Sequence, residues 1–235
     1  MSRRRPWVMR MRWVDLLFAH WPLPAELLRP LLPPDLEVDT FDGRAYLGIV
    51  PFRMEDVAPR GLPAMPGLSA FPELNVRTYA THRGRPGVWF LSLDAASPLT
   101  VVGARRFFHL PYVHARMTAD AEPDGSIAYR SVRTDPGRPR AAFTATYAPT
   151  GPAQPAEPGS LEDWLTARWR LFSVDGDGRV LRGEIRHRPW PLQPATATMD
   201  AAGLVAAHGL SLPDEPPHLR FARRVDVRAW WPRPA

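Results

Sequence analysis

Short apolar runs separated by turn residues dominate the hydrophobic pattern of this chain. The 29 Pro and 16 Gly divide the sequence into segments of about five to ten residues. Such spacing is typical of strands joined by turns, and no internal repeat period emerges. The pattern therefore predicts a strand-dominated α+β domain.

Individual elements are predicted from alternation, helical spacing and turn chemistry. Strands are predicted over residues 8–20, 35–40, 44–54, 71–81, 87–95, 112–121, 126–134, 141–148, 169–174, 180–187 and 218–229. Helices are predicted over 24–29, 99–109 and 200–208, with another after the N-cap Ser160. Segment 55–70 has several Pro and Gly and little periodicity, which predicts a long loop or lid.

Composition predicts a single folded domain over residues 1–235. A hydrophobic fraction of 45%, with nine Trp and ten Phe, is ample for one packed core. Residues 1–6 are expected to form a flexible basic N-terminus. No run approaches the ~20 apolar residues that cross a bilayer, and Arg10, Arg12 and Asp15 interrupt any signal-peptide core. The expected location is the cytoplasm.

Lysine and cysteine are both absent, and their absence restricts the possible chemistry. All 30 basic residues are Arg, which stays protonated and is a poor nucleophile. A Schiff base needs a primary amine, so no side chain here can form one. Without Cys there is no thiolate nucleophile, disulfide or Cys-ligated metal.

A net charge of +6 raises the hypothesis of a nucleic-acid partner. Outside Arg3 to Arg5, however, the arginines are scattered and usually have Asp or Glu nearby. This distribution favours an arginine-only coding bias over a phosphate-binding stripe. Nucleic acid is therefore not the expected partner.

One predicted strand carries a row of polar side chains. Glu73, Asn75 and Arg77 project to one face because the side-chain period of a strand is two. An interior polar face would let Arg77 bind a carboxylate or phosphate and let Glu73 act as acid or base. The alternative is a solvated face of a two-layer sheet.

The predicted helix over 99–109 brings a second group of candidates. Arg105 and His109 share a face at spacing i, i+4, and Tyr112 follows just beyond Pro111. His109 is a candidate proton shuttle near neutral pH. The alternative is a histidine at a helix C-terminus, where it interacts with the last carbonyls.

Metal and serine chemistry find no support. The seven His show no paired spacing on a helix, so no metal site and no cofactor are expected. His20 and His187, each near a Trp-Pro pair, are interpreted as half-buried residues that donate to backbone carbonyls. No Gly-x-Ser-x-Gly nucleophile motif is present.

Four segments carry a family resemblance: Leu17 to Pro22, Phe71 to Tyr79, Ala104 to Tyr112 and His187 to Leu192. Together they resemble the YqjF-like family of unknown function, in the acetoacetate decarboxylase-like superfamily. The resemblance implies a curved, largely antiparallel sheet closed into a cone-like barrel, with a central pocket and a few flanking helices. In the decarboxylases of that superfamily, a Pro-Lys-Lys segment supplies the Schiff-base lysine. Here the similar segment is Leu110 to Val113, with Tyr112 or Val113 in place of the lysine.

The leading functional hypothesis is a pocket for a small organic acid, with possible non-covalent acid/base chemistry. Substrate binding is assigned to Arg77, Asn75 and Arg105, and catalysis to Glu73, Tyr112 and His109. A second hypothesis is a ligand-binding or sensor domain without turnover. A third is an arginine-dependent binder of nucleic acid or of an anionic surface. Homo-oligomers are compatible with all three.

The missing lysine generates the first prediction. Incubation with acetoacetate and borohydride should leave no reduced adduct on any side chain, because the only primary amine in the sequence is the N-terminal one. Peptide mapping by mass spectrometry checks this, and a lysine-dependent decarboxylase treated in parallel is the positive control. An adduct on an internal peptide would contradict it.

Overall fold

A computed structural model describes residues 5–235. Its strands and helices, numbered in chain order, are β1 (Met9–Leu23), α1 (Ala25–Leu28), β2 (Glu37–Val38), β3 (Ala45–Pro59), β4 (Phe71–His82), β5 (Arg85–Ala95), α2 (Pro98–Phe108), β6 (Tyr112–Ala121), β7 (Ile127–Arg133), β8 (Ala142–Pro149), α3 (Leu161–Thr166), β9 (Arg170–Val174), β10 (Val180–Arg186), β11 (Leu192–Asp200), α4 (Ala202–Ala206), β12 (His218–Ala229) and β13 (Arg233–Pro234). A short 3-10 turn covers Arg29–Leu31. Strands dominate, as the sequence predicts.

All the strands belong to one sheet that closes on itself. Seven of them form a hydrogen-bonded ring in the order β10, β9, β5, β4, β3, β1, β12 and back to β10. Every pairing is antiparallel except β5 with β6 and β5 with β9. The pairings of β5 with β9 and of β10 with β12 close the ring, and β5 and β12 each pair with one further strand outside it. Strands β6, β7, β8 and β11 form a second, outer path between them.

Strands β1, β3 and β4 are buried on both faces. Phe18 and Phe52 point toward the interior of the ring, while Leu17, Ile49 and Val76 point into a second core. That second core also contains aromatic residues of β7 and β8 and apolar residues of α4. Two-sided burial explains why β1 is continuously buried from Val14 to Leu23.

Two aspartates with positive φ interrupt the alternation of the ring strands. Asp15 in β1 has φ 53° and Asp56 in β3 has φ 50°, a region that Asp tolerates better than most residues. Irregular pairing between β1 and β3 accompanies both. Such bulges change which side chains face inward. Met11 faces the ring interior before Asp15, and Phe18 faces it afterwards.

The structure confirms most predicted elements and corrects three. The hairpins β4–β5 and β9–β10, the strands β6 to β8 and the helix α2 lie where they were expected, and Ser160 caps α3 by accepting from the backbone of Asp163. The predicted loop over 55–70 begins only after Pro59, because the bulge lets β3 continue its pairing with β1. The strand predicted over 35–40 is only two residues long. Strand β11 was not predicted, since Pro194 interrupts its alternation.

The N-terminal segment contacts a residue near the C-terminal end of the chain. Within the expected basic N-terminus, residues 1–4 lie outside the described residues, and the Arg5 carbonyl accepts a hydrogen bond from the Trp230 indole.

None of the helices in residues 5–235 is long and apolar enough to cross a membrane.

The two bulge aspartates allow a matched stability test. Asp15 is buried and accepts charged hydrogen bonds from Arg53 at 2.6 Å and Arg223 at 2.8 Å, whereas the exposed Asp56 pairs with Arg12 at the surface. Asp56→Ala should lose about 1 kcal/mol of unfolding free energy, because backbone strain increases and the exposed ion pair contributes little. Asp15→Ala should lose about 3 kcal/mol, because two charged hydrogen bonds go as well. Urea denaturation measures both, and equal losses would refute this role for Asp15.

Candidate functional site

The ring of strands encloses a cavity of about 540 Å³. Its walls are the inward-facing apolar residues of β1, β3, β5 and β12, and helix α2 lies at one end. Most of the lining is aromatic or aliphatic. The polar lining residues are Glu73, Asn75, Arg77, Thr100, Tyr112, Thr166, Arg168, Arg170 and His187.

Strand β4 places its predicted polar row inside this cavity. Glu73, Asn75 and Arg77 all line it, while Leu74 and Val76 pack into the second core. Glu73 and Asn75 are buried. Of the two alternatives left open by the sequence, the geometry is that of an interior face and not of a solvated one.

The carboxyl group of Glu73 lies at one end of the row. The Tyr112 hydroxyl donates to Glu73 Oε2 at 2.9 Å, and the Tyr129 hydroxyl donates to the Glu73 backbone carbonyl at 2.8 Å. Burial raises the pKa of the Glu73 carboxyl to about 8, and the Tyr112 hydrogen bond opposes that shift only in part. Glu73 is therefore largely protonated at neutral pH, with its second oxygen able to donate a proton.

A hydrogen-bonded group of side chains holds Arg77 at the other end of the row. The Tyr79 hydroxyl donates to the Leu165 carbonyl at 2.7 Å. Its oxygen therefore accepts from Arg77 Nη2 at 3.2 Å and from His20 Nε2 at 2.7 Å. Burial, followed by the charge of Arg77, lowers the pKa of His20, so its ring is neutral. Gly48 leaves room for this ring, since a Cβ there would lie 2.9 Å from His20 Nε2.

A second guanidinium group lies close to the first. Arg168 lines the cavity and packs over the Tyr79 ring at 4.9 Å and the Trp164 ring at 4.3 Å. It forms a 2.6 Å ion pair with Asp39. The Arg77 guanidinium, in contrast, pairs with no carboxylate among the described residues, and its charged face lies 5.5 Å from the Phe18 ring. This end of the cavity thus carries excess positive charge.

Three buried polar atoms of cavity-lining residues lack a hydrogen-bond partner within residues 5–235. They are Asn75 Oδ1, Arg77 Nε and Arg168 Nη2. Leaving a buried polar atom unpaired costs on the order of 1–3 kcal/mol. Their position in one cavity marks it as a place where a polar ligand group fits.

Comparisons with known proteins agree with this architecture. The family model of the uncharacterized conserved proteins DUF2071 matches residues 10–226. The chain belongs to the DUF2071 family. It is also 44% identical over 224 residues to the uncharacterized protein YqjF of Bacillus subtilis (strain 168), covering 95% of this chain and 91% of YqjF. The resemblance inferred from the four sequence segments is thereby confirmed.

Solved structures show the same fold as this DUF2071 protein at low sequence identity. Acetoacetate decarboxylase from Legionella pneumophila superposes with a TM-score of 0.67 at 14% identity, covering 100% of this chain and 92% of that one. The enduracididine biosynthesis enzyme MppR, complexed with pyruvate, superposes with a TM-score of 0.65 at 15% identity, covering 99% and 92%. These similarities confirm an acetoacetate decarboxylase-like fold.

Two residues predicted for the site of this DUF2071 protein lie elsewhere. Arg105 projects from α2, donates to the Tyr112 carbonyl at 2.7 Å and pairs with Asp135. His109 is the C-cap of α2 in a left-handed conformation with φ 52°. Neither lines the cavity. The Arg105 side chain instead contacts the start of β6 and the segment after β7, and His109 ends the helix.

The interpretations of His20 and His187 have different outcomes. His20 is completely buried and bonds to Tyr79, so its interpretation as a half-buried residue that donates to a carbonyl was wrong. His187 Nδ1 does bond to a carbonyl, that of Arg188, at 2.6 Å. Across the described part of the chain, no three His, Asp or Glu side chains are grouped as metal ligands.

Tyr79 and Arg168 belong to the site but were not predicted from the sequence. Tyr79 continues the odd-numbered face of β4 beyond Arg77, and that signal was available in the alternation. Arg168 follows α3 far along the chain, and no local pattern marked it. Its place beside Arg77 depends on how α3 packs against β4.

The arginines are less scattered in the structure than along the sequence. A cleft of about 1000 Å³ on the outer side of β1, β10 and β12 is lined by Arg10, Arg12, Arg186, Arg188, Arg224 and Arg228. Arg10 and Arg186 both stand opposite Arg228 on neighbouring strands. Arg12 and Arg224 pair with Asp226, but for the other four no carboxylate partner is found within the described range. Pairing of distant strands produces this cluster.

The raised pKa of Glu73 generates a prediction about stability. The folded state holds a proton on Glu73 up to a pH of about 8, whereas the unfolded state releases it near 4.5. The wild-type protein should therefore lose up to about 1.4 kcal/mol of unfolding free energy per pH unit from this group as pH rises through that window. The Glu73→Gln variant lacks this pH-dependent contribution to the unfolding free energy.

Denaturation of both proteins at pH 5, 6, 7 and 8 measures the effect. The stability of Glu73→Gln relative to the wild type should rise steadily with pH, because only the wild type must bury a carboxyl that tends to ionise. A difference that stays constant across this range would show that Glu73 titrates as an ordinary carboxyl.

Proposed function

We propose that this DUF2071 protein binds an organic acid in the ring cavity without a covalent bond, with Arg77 holding the carboxylate and Glu73 serving as an acid/base group. The observation that carries the proposal is the Arg77 guanidinium, which faces an enclosed cavity and has no carboxylate partner among the described residues.

The positive end of the cavity supports an anionic ligand. A guanidinium group in a poorly hydrated site is stabilised by an opposite charge, and it binds carboxylates through two parallel hydrogen bonds. Arg168 lies beside Arg77 against the same Tyr79 ring, and Asp39 neutralises only one of the two charges. Asn75 Oδ1 offers an acceptor next to them. A carboxylate satisfies the unpaired guanidinium atoms, and a donor group on the ligand satisfies Asn75.

The environment of Glu73 supports proton transfer rather than nucleophilic attack. A carboxyl with a pKa of about 8 is a competent general acid near neutral pH, and its conjugate base is strong enough to remove a proton from an activated carbon. Tyr112 donates to one oxygen and so directs the acidic proton from the other. Proton transfer to or from a carbonyl compound needs no lysine.

The second hypothesis, a binding or sensor domain without turnover, uses the same cavity. It needs Arg77 and the apolar walls but gives Glu73 no chemical role. The two hypotheses therefore predict different results of changing Glu73 and the same result of changing Arg77.

The proposal predicts distinct effects of two substitutions. Native mass spectrometry of the purified protein identifies a co-purifying acid, and calorimetry then measures its binding. Arg77→Ala should weaken that binding by roughly 2–5 kcal/mol, because one partner of a desolvated charge pair is lost. Glu73→Gln should retain binding, yet lower any turnover by about 100-fold or more.

Controls make the outcome specific to the cavity. Arg130→Ala removes the same charge from the exposed face of β7 and should leave binding unchanged. Unchanged binding in Arg77→Ala with an intact fold would refute the proposal. If binding is instead lost in Arg228→Ala, the anion binds in the outer cleft, as the third hypothesis requires. Activity that survives Glu73→Gln would assign the chain to the binding domains.

A further inference from the structure

We infer that the acid bound in the ring cavity is amphipathic: its carboxylate lies at Arg77, and an extended apolar chain runs along β4, past Glu73, to an opening beside helix α2. This inference rests on the proposed function and adds the class of ligand to it. It also replaces the expectation of a small acid, for three reasons of geometry.

The first reason is the distance between the two chemical groups of the cavity. Glu73 and Arg77 are four residues apart on one regular strand, so their Cα atoms are about 13 Å apart. The Arg77 guanidinium also bonds to Tyr79, which lies two residues farther from Glu73. A short acid held by Arg77 therefore does not reach Glu73.

A ligand that contacts both groups needs an extended chain. An extended polypeptide covers each 3.3–3.6 Å with three backbone bonds. A chain that spans the distance from the guanidinium to Glu73 thus needs on the order of ten bonds. Acids with two to four carbons fall well short of this length.

The second reason is the apolar surface that faces the polar row of β4 and continues beyond it. The walls include Leu16, Phe52, Phe90, Leu93 and Trp190, and the α2 residues that line the cavity carry no charge. Glu73 is itself largely neutral near pH 7 because of its raised pKa. Burying an apolar chain against such walls contributes about 0.8 kcal/mol per methylene.

The third reason is the composition of the opening. Leu99 and Phe107 of α2 and Trp231 after β12 line the cavity, yet each is more than half exposed to solvent. Pro59, at the end of β3, is exposed beside them. These side chains mark where the cavity meets solvent. An opening built from large apolar residues suits the distal part of an apolar chain and not a polar group.

The register of the ring places this opening at the Glu73 end. Phe71 pairs with Met54 of β3, and Pro59 lies beyond that pair, opposite Met9 of β1. The order along the cavity axis is therefore the α2 opening, Phe71, Glu73, Asn75 and Arg77. A carboxylate at the far end directs the rest of the acid toward the opening.

Titration with a series of unbranched carboxylates tests the inference. Butanoate, hexanoate, octanoate, decanoate and dodecanoate are measured by calorimetry below the concentrations at which they form micelles. Affinity should rise up to about fourfold per added methylene and level off once the chain leaves the opening. Arg77→Ala should weaken binding of every acid by a similar factor.

Two aspartate substitutions on α2 locate the path of the chain. Phe107 lines the cavity and is 58% exposed, whereas Val102 is 66% exposed on the same helix and does not line it. Phe107→Asp should weaken dodecanoate binding at least tenfold and leave hexanoate binding unchanged. Val102→Asp, with the same added charge, should alter neither. Equal losses in both variants would overturn the proposed path.

The remaining outcomes separate this inference from the proposed function. If all acids bind with equal affinity and depend on Arg77, the cavity binds acids but does not select apolar chains. If affinity rises with length but does not depend on Arg77, the carboxylate assignment is wrong, and with it both proposals. If no acid binds to a folded protein, both proposals are likewise overturned.

Discussion

Enclosure of one polar strand face inside a closed ring of strands is the constraint on which this structure depends. Glu73, Asn75 and Arg77 would be ordinary residues on an outer surface, where water satisfies each of them. Pairing of β5 with β9 and of β10 with β12 closes the ring and so separates these side chains from bulk solvent. Low polarity then keeps Glu73 protonated and leaves Arg77 without a counter-charge among the described residues. Both properties result from the topology rather than from the residues themselves.

The polarity of the cavity is divided between its two ends. Tyr79 contacts every member of the cationic end. Its ring packs against the guanidinium groups of Arg77 and Arg168, and its hydroxyl accepts from His20 and Arg77. Tyr112 and Glu73 form the other end, where hydrogen bonding holds a neutral carboxyl. Asn75 and apolar walls lie between the ends. An anion and a proton-transfer group are thus kept apart, so the charge of Arg77 does not drive ionisation of Glu73.

The fold shared with acetoacetate decarboxylase does not by itself show which reaction, if any, a chain performs. Superposition at 14% identity shows architecture alone, and this sequence contains no lysine. In the segment that resembles the decarboxylase motif, Tyr112 instead reaches into the cavity and donates to Glu73. A scaffold that encloses a pocket is compatible with many reactions.

The sequence by itself determined the strand content, the hairpins, the helix α2 and the polar face of β4, because each depends on local periodicity, capping or turn chemistry. Absence of lysine is likewise a property of the sequence, and it alone excludes an imine on any side chain. Other features depend on residues distant in sequence. Arg168 meets Arg77 only because α3 packs against β4, and the outer arginine cleft exists because β1, β10 and β12 become neighbours. The alternation that predicted the polar face of β4 did not show whether that face meets bulk solvent or an interior cavity. Closure of the ring decided that this face is buried, because burial is a property of the whole sheet and not of any one strand.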